Sequence, residues 1–475
     1  MPLEEQAMKT KCNAATMLAL ALAFAAGTTA ALAQNVFKGT TSTADGFETW
    51  DSDLINIEAV EQTGAGVYVV VLDNGLAPNW RDYFPAARIA THLGAGFHQP
   101  VTFKAKNQDP CGLEAEVGQL QSSTWVGSRG ITHGTHVAST ILGYYYRSNY
   151  DALAGYPLPP IMVRGIAPDV TVIPVKVLSD YRVPAMPKCG LPSYDTVFGT
   201  SAMIAAGIRY ATALKKAGYS PMVINMSLGG PAPDMLEEKD AIDEAIAEGV
   251  IVVAAAGNSG EYGMGYPAAY APVISVGSAG WVGEFLDPDD DTSYYRMWWL
   301  MGDDPPLLPG SGAIGHPTSE DDVYVSDFSS RALPGQELDV LAPGSWVRGP
   351  VPFSPGYSHL PWHSRGIGDI KSRNLHTNFY LMGGTSMASP HVASVAALML
   401  QKHPSLTQSA VEAILKATAL PIAPAGMKIV FVPFDFVPTP WDADCADTLG
   451  VPGPVPCDAV GAGLVQADGA VLATP

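Results

Sequence analysis

Ser386 lies in the run Tyr380-Leu381-Met382-Gly383-Gly384-Thr385-Ser386-Met387-Ala388-Ser389-Pro390-His391. The glycine pair makes a tight turn, and Pro390 suits the first turn of a helix, where its missing N–H costs nothing. Val392, Val395, Ala396 and Met399 then recur at helical spacing. The hydroxyl is thereby set beside unpaired backbone N–H groups at the positive end of a helix dipole, which favour negative charge developing next to it. A serine hydroxyl is a poor nucleophile until an imidazole takes its proton. The imidazole in turn needs a carboxylate to fix its tautomer and stabilise its cation. Two upstream segments offer these groups. Val67–Leu72 is a continuous apolar, largely β-branched run, as expected of a strand covered on both faces. It ends at Asp73-Asn74-Gly75, a turn that leaves a carboxylate at the carboxyl edge of a sheet. His133 opens His133-Gly134-Thr135-His136-Val137-Ala138, the start of a second helix-like stretch.

Taken singly, each residue has a commoner use: the aspartate as a turn former, the histidine and serine as structural or capping residues at helix starts. In combination they resemble a known family. The chain order Asp, His, Ser is that of the subtilisin-like serine proteases, and the sequence is similar to them at each catalytic motif. These are Asp73-Asn74-Gly75, His133–Ala138 and Gly384-Thr385-Ser386-Met387-Ala388-Ser389-Pro390-His391. Shorter matches fall between them in the family's order: Gly165–Pro168, Val175–Leu178, Ile224–Gly230, Ala255–Asn258 and Leu341–Gly344. The resemblance runs from about Ile55 to Gly469.

The resemblance implies a serine endopeptidase that cuts protein or peptide substrates through a triad of Asp73, His133 and Ser386. The first histidine of the pair is the catalytic one in this family, which makes His136 structural. Asn258, following the strand-like run Val250–Ala256, becomes the side-chain donor of an oxyanion hole completed by the backbone N–H of Ser386. Removing such a donor from a subtilisin costs on the order of 10²–10³ in turnover. Ser227, Leu228, Gly229 and Gly230 would form an extended edge that pairs with substrate backbone as an added strand. With Ala255, Ala256, Gly257 and Gly265 they would wall a specificity pocket, whose small residues suggest an open site for a large apolar side chain.

The remaining elements fit an α/β fold. Thr196–Lys216 has helical composition and is closed by Gly218. Asp234-Met235-Leu236-Glu237 reads as a capping-box helix start with Gly249 as its stop. Pro272–Gly277 and Leu338–Leu341 read as short strands. Strands alternating with amphipathic helices indicate a three-layer sandwich, a mostly parallel central sheet flanked by helices, with long loop insertions. Ligands of such sheets bind at the carboxyl ends of the strands.

A net charge of −20 over 475 residues argues against nucleic acid and anionic membrane surfaces as partners. Lys9 and Lys11 precede the apolar stretch Ala14–Ala26, and Ala31-Leu32-Ala33 offers a small-residue cleavage site. Residues 1–33 therefore read as a signal peptide, with the native start at Met8, and the product as secreted or periplasmic, with no membrane segment after leader removal. Residues 34–54 form a short N-terminal segment and 55–475 the catalytic domain. Secreted relatives usually carry a longer inhibitory prosegment, and 34–54 leaves no room for one. Of the five cysteines, Cys12 would leave with the leader. An even set in an oxidising compartment suggests two disulfides. The favoured pairing is Cys445–Cys457 across one Pro-rich loop and Cys111–Cys189 between two insertions.

No cofactor is required by this chemistry. Many subtilases bind calcium, but the acidic run Asp287–Asp291 lacks the glycine and distal glutamate of a recognisable binding loop, so no metal ligands are assigned. The stretches 73–133 and 280–326 are long for the family, and loops of such length are usually functional. Three readings stay open: a broad secreted endopeptidase, a dedicated processing protease whose insertions narrow the cleft, and an inactive subtilase-like scaffold. The four intact residues disfavour the last. Cleavage preference and oligomeric state are not set by the sequence.

Overall fold

The computed structural model describes residues 42–43, 46–106, 109, 111–127, 133–146, 161–230, 236–281, 319–351, 379–422, 427–432, 435–440, 444–445 and 455–475. Its centre is an eleven-stranded sheet. In chain order the strands are Tyr68–Asp73 (β1), Ala95–His98 (β2), Gln121–Ser123 (β3), Thr171–Lys176 (β4), Met222–Met226 (β5) and Ile251–Ala255 (β6). They continue with Ile274–Trp281 (β7), Val323–Ser326 (β8), Val340–Pro343 (β9), Met427–Val432 (β10) and Asp435–Pro440 (β11). Across the sheet the order is β11-β10-β8-β7-β6-β5-β1-β4-β2-β3, with β9 also on β7. From β2 to β7 every pairing is parallel, and antiparallel pairs occur only toward the margins.

The sequence of the central strands explains their position. All five residues of β5 and of β6 are buried, as are five of the six in β1. Unbroken apolar runs of this kind need cover on both faces. Helices supply it. His133–Leu142 (α1) and Thr385–Lys402 (α4) pack on each other and on the sheet, while Ser201–Lys216 (α2) and Leu236–Ala247 (α3) form a second such pair. The result is the expected helix–sheet–helix sandwich. Among the described residues no helix is long and apolar enough to cross a membrane.

Local expectations hold with shifted edges. Gly249 stops α3 with φ +76°, a left-handed conformation that favours glycine. The proposed start of α3 at Asp234 and Met235 lies outside the described residues. The helix expected from Thr196 begins at Ser201, because the Thr200 hydroxyl caps it by accepting from Met203 N at 3.3 Å. Tyr194–Phe198 instead pairs antiparallel with Ser179–Val183. On the inner face of α3, Glu238 is fully buried beside Ala241, Ile242 and Ala245.

The long stretch before His133 is built as β2, β3 and a hairpin of Val101–Ala105 with Leu113–Val117. A disulfide between Cys111 and Cys189 ties this hairpin to the ribbon around residues 179–198, as expected. Cys457 is also disulfide-bonded, whereas the side chain of its expected partner Cys445 lies outside the described part. So do residues 1–33, the acidic run 287–291 and most of the long loop that holds it. Residues 46–54 pack into the body of the domain: Trp50 and Leu54 are fully buried, Glu48 pairs with Arg164 at 2.9 Å, and Asp51 lies 3.1 Å from His391 of α4.

Candidate active site

β1 runs out of the core at Asp73, which is fully buried and accepts from Asn74 N at 2.6 Å. His133, the first residue of α1, directs Nδ1 at both carboxylate oxygens, 2.8 and 3.0 Å away. A carboxylate only accepts, so Nδ1 carries the proton and Nε2 is left as the basic nitrogen. Burial disfavours the charged ring, but the Asp73 charge and hydrogen bond outweigh it and hold His133 above its ordinary 6.5. Two neighbours fix the pair. Asn74 Oδ1 accepts from Gly134 N at 2.9 Å. A methyl group on Gly134 would sit 2.6 Å from Gly75 O and 3.0 Å from Asp73 Cβ, so only glycine lets α1 start this close to the carboxylate.

Ser386 is the second residue of α4, where a backbone N–H has no partner inside the helix. Pro390, four residues on, has no N–H to give to the Ser386 carbonyl. That carbonyl accepts instead from Ser227 Oγ at 2.7 Å, just past the end of β5. Ser227 Oγ itself accepts from Asn225 Nδ2 at 3.0 Å, and Asn225 Oδ1 accepts from Ser389 Oγ at 2.7 Å. Met226 is in register with Leu72, so Ser227 emerges beside Asp73 at the same sheet edge. The Ser386 hydroxyl donates to Ser227 O at 3.3 Å, and among the described residues no hydrogen bond joins it to His133. Such contacts are often loose without substrate, and a turn about χ1 would change the partner.

Asn258 follows β6 on the other side of the serine. Its Oδ1 accepts from Thr385 N at 2.9 Å and Thr385 Oγ1 at 3.0 Å. Thr385 Oγ1 accepts in turn from Gly257 N at 3.1 Å. With its oxygen so committed, the amide presents Nδ2 as donor. Asn258 Nδ2 and Ser386 N lie 3.5 and 3.7 Å from the point where a side chain on Gly384 would begin. Two nitrogens that carry N–H groups thus lie near one small space at the start of α4.

The residues expected to wall a pocket also come together. Gly230 and Tyr266 exchange two backbone hydrogen bonds of 2.9 and 3.0 Å, and Gly265 N donates to Ala256 O at 2.8 Å. A side chain added at Gly229 would begin 3.6 Å from Tyr266 O and 4.0 Å from Ala255 O. Among the described residues, the backbones of Leu228 and Gly229 form no hydrogen bond, which leaves that edge open to an incoming strand. His136 is fully buried and donates Nε2–H to Val347 O at 3.0 Å.

Residues missed from sequence include Thr385, which orients Asn258, and Asn225, which orients Ser227. A polar side chain inside the apolar run Met222–Met226 was the available signal for Asn225. Among the described residues one acidic cluster, Glu337, Asp339 and Glu412, brings carboxylates close enough for a metal. Lys416 Nζ already sits among them, bonded to Glu337, 3.0 Å from Asp339 and 3.5 Å from Glu412, and Asp339 also accepts from Ser275 N and Oγ. With an ammonium supplying the positive charge, this cluster does not fit a divalent cation.

Comparison with known proteins agrees with the geometry. The subtilase family model, Peptidase_S8, matches residues 64–453. Subtilisin DY of Bacillus licheniformis is 31% identical over 367 residues, covering 76% of this chain and 87% of that relative. Subtilisin E of Bacillus subtilis (strain 168) is 30% identical over 361 residues, 75% of this chain but 61% of the relative, less than two thirds of its length. Among solved structures, sphericase aligns over 90% of this chain and 99% of its own, with a TM-score of 0.48 and 22% identity. The chain belongs to the subtilase family of serine-type endopeptidases.

Proposed function

We propose that this protein is an exported serine endopeptidase in which Ser386 attacks the peptide carbonyl, His133 accepts its proton and Asp73 holds the imidazole in place. Export rests on the leader-like residues 1–33. The observation that carries the mechanism is the His133–Asp73 contact, with Nδ1 donating over 2.8 Å to a buried carboxylate, at the sheet edge where Ser227 anchors Ser386. Substrate would lie extended along Ser227–Gly230, with its carbonyl oxygen between Asn258 Nδ2 and Ser386 N–H. Attack moves negative charge onto that oxygen, where these donors bind it more tightly than the neutral carbonyl. His133 then returns its proton to the leaving amine, and the acyl-enzyme on Ser386 is hydrolysed by the same steps in reverse roles.

A serine-directed fluorophosphonate probe tests the assignment. The mature protein should label and cleave peptides, while Ser386→Ala should do neither yet unfold at nearly the same temperature. Labelling that persists in Ser386→Ala, or its absence from a folded wild type, would refute it.

A further inference from the structure

One turn along α1 from His133 lies His136, whose buried ring donates from Nε2 to Val347 O at 3.0 Å. Val347 opens a two-stranded antiparallel ribbon, Val347–Pro350 with Phe379–Met382, in which it stands opposite Met382. Met382 leads directly into Gly383, Gly384, Thr385 and Ser386. A second tie lies close by, where Gly384 N donates to Gly344 O at 2.8 Å. The segment 344–347 therefore grips the approach to Ser386 at two points. His136 fastens that segment to the helix that begins at His133.

The fit at this junction is close. A side chain on Gly349 would begin 2.8 and 2.9 Å from His136 Cδ2 and Nε2, and 2.6 Å from Ser139 Oγ, so the ribbon lies on α1 with no room for a methyl group. A side chain on Gly344 would begin 2.8 Å from Gly384 O and 3.0 Å from Ala388 Cβ, so the same segment is packed against the first turn of α4. Between these contacts Trp346 has φ +56°, a left-handed conformation that strains a residue this bulky. Its neighbours hold it there. Ser345 N donates to Ala279 O at 3.2 Å, and Val347 is bound to His136 and paired with Met382. Such strain persists only where the surroundings over-determine it, and it clusters at functional sites.

Because the Ser386 hydroxyl bonds to Ser227 O and not to His133, the approach of the two groups is set by the elements that carry them. Asp73 holds His133 at the sheet edge and Ser227 holds the Ser386 carbonyl there. The His136–Val347 contact makes a separate connection, from α1 to the chain that enters α4. A carbonyl only accepts, so Nε2 of His136 carries the proton, and an apolar ring in its place would take the donor away from Val347 O.

We infer that His136 is a positioning residue: through Val347 and the ribbon it sets the distance between His133 and Ser386. The inference rests on the proposed triad and adds to it a residue that touches neither substrate nor the reacting atoms.

Two substitutions separate the hydrogen bond from the volume of the ring. His136→Phe keeps a flat ring and removes the donor, whereas His136→Gln sets an amide nitrogen near the place of Nε2. His136→Phe should lower kcat on the order of 10- to 10²-fold, the scale of a small misalignment. KM should stay within about twofold, and the acid limb of the pH profile should not move, because the Asp73 contact is untouched. His136→Gln should recover most of the loss. The same pair is then made in His133→Ala, whose residual hydrolysis of an activated ester still uses the oxyanion donors. There His136→Phe should change the rate by less than about twofold, since no imidazole remains to be aligned. Equal losses in both backgrounds, the mark of a merely structural role, overturn the inference alone, as does a folded His136→Phe with wild-type kcat. Should His136→Phe fail to fold, Gly349→Ala decides. Its methyl group pushes the ribbon off the His136 ring and should lower kcat in the presence of His133 but not in its absence; an unchanged kcat overturns the inference. Full activity of His133→Ala overturns the proposed triad, and the inference with it.

Discussion

Replacing Glu238 by leucine should stabilise the protein at alkaline pH and not at acid pH. Glu238 lies in the first turn of α3 with no exposed surface, and among the described residues neither carboxyl oxygen has a hydrogen-bond partner. Burial pushes its carboxyl from 4.5 up to about 7. Its ionisable surroundings do not relieve this: Tyr270 feels its charge, Arg209 of α2 is engaged with Glu237 and Glu244, and β5 and β6 carry no ionisable side chain. Below pH 4.5 the group is protonated in both folded and unfolded chains and contributes no pH dependence. Between 4.5 and about 7 the folded state holds a proton that the unfolded state has lost, so stability falls as pH rises. Above about 7 the full cost is present, about 3 kcal/mol at roughly 1.4 kcal/mol per pH unit. Urea unfolding of Ser386→Ala protein, chosen to prevent self-digestion, with and without Glu238→Leu would measure it at pH 4 and pH 8.5. The stability gap between the two should widen by about 3 kcal/mol toward alkaline pH. Leucine packing adds a constant that cancels in this comparison. Parallel profiles would show that Glu238 is not buried and unpaired as described.

Asn258→Ala should lower kcat on the order of 10²–10³ with little change in KM, the magnitude known for a subtilisin; unchanged kcat would remove Asn258 from the oxyanion hole. Because Asp73 raises the His133 pKa, and the base must be neutral to act, kcat/KM for an uncharged peptide should fall on the acid side with a midpoint above 6.5. Asp73→Asn should move that midpoint down and reduce kcat by about 10⁴, as known for another serine protease; an acid limb that stays in place would show that the pair does not titrate as drawn. Ser227→Ala leaves the Ser386 carbonyl without its donor and should cost about 1–3 kcal/mol of stability together with a loss of kcat; a variant matching wild type in both would show that this hydrogen bond does not hold the nucleophile.

The parts of this protein legible in sequence are those where one residue type does one job. An unbroken Val67–Leu72 run requires a strand covered on both sides, and Asp73-Asn74-Gly75 marks where it must end. The glycine pair marks the start of α4, but Pro390, expected in its first turn, is the sixth residue of the helix, where its missing N–H leaves the Ser386 carbonyl to another donor. Of three possible connectivities, the one that closes the Pro-rich loop with Cys445 and Cys457 leaves Cys111 for Cys189, and that bond is present. Legibility failed where a long-range partner decided the outcome. Thr196–Phe198 is strand and not the start of a helix, because Thr, Val and Phe favour strands and Ser179–Tyr181 lies beside them. Glu238 falls on a helix whose charge pattern looks solvated, and only the packing of α3 on the sheet turns it inward. Residues 46–54 read as a tail until Asp51 is seen against His391.

Pro390 has a consequence for when this protein can act. By denying the Ser386 carbonyl a partner within its own helix, it hands the anchoring of that residue to Ser227, 159 residues earlier in the chain. Asp73 and His133 meet across a further 60. A nascent polypeptide can wind α4 early, but it cannot settle the serine until β5 and β1 lie side by side. On the mechanism proposed above, hydrolytic competence then waits for completion of the tertiary structure, and partly folded copies would be inactive.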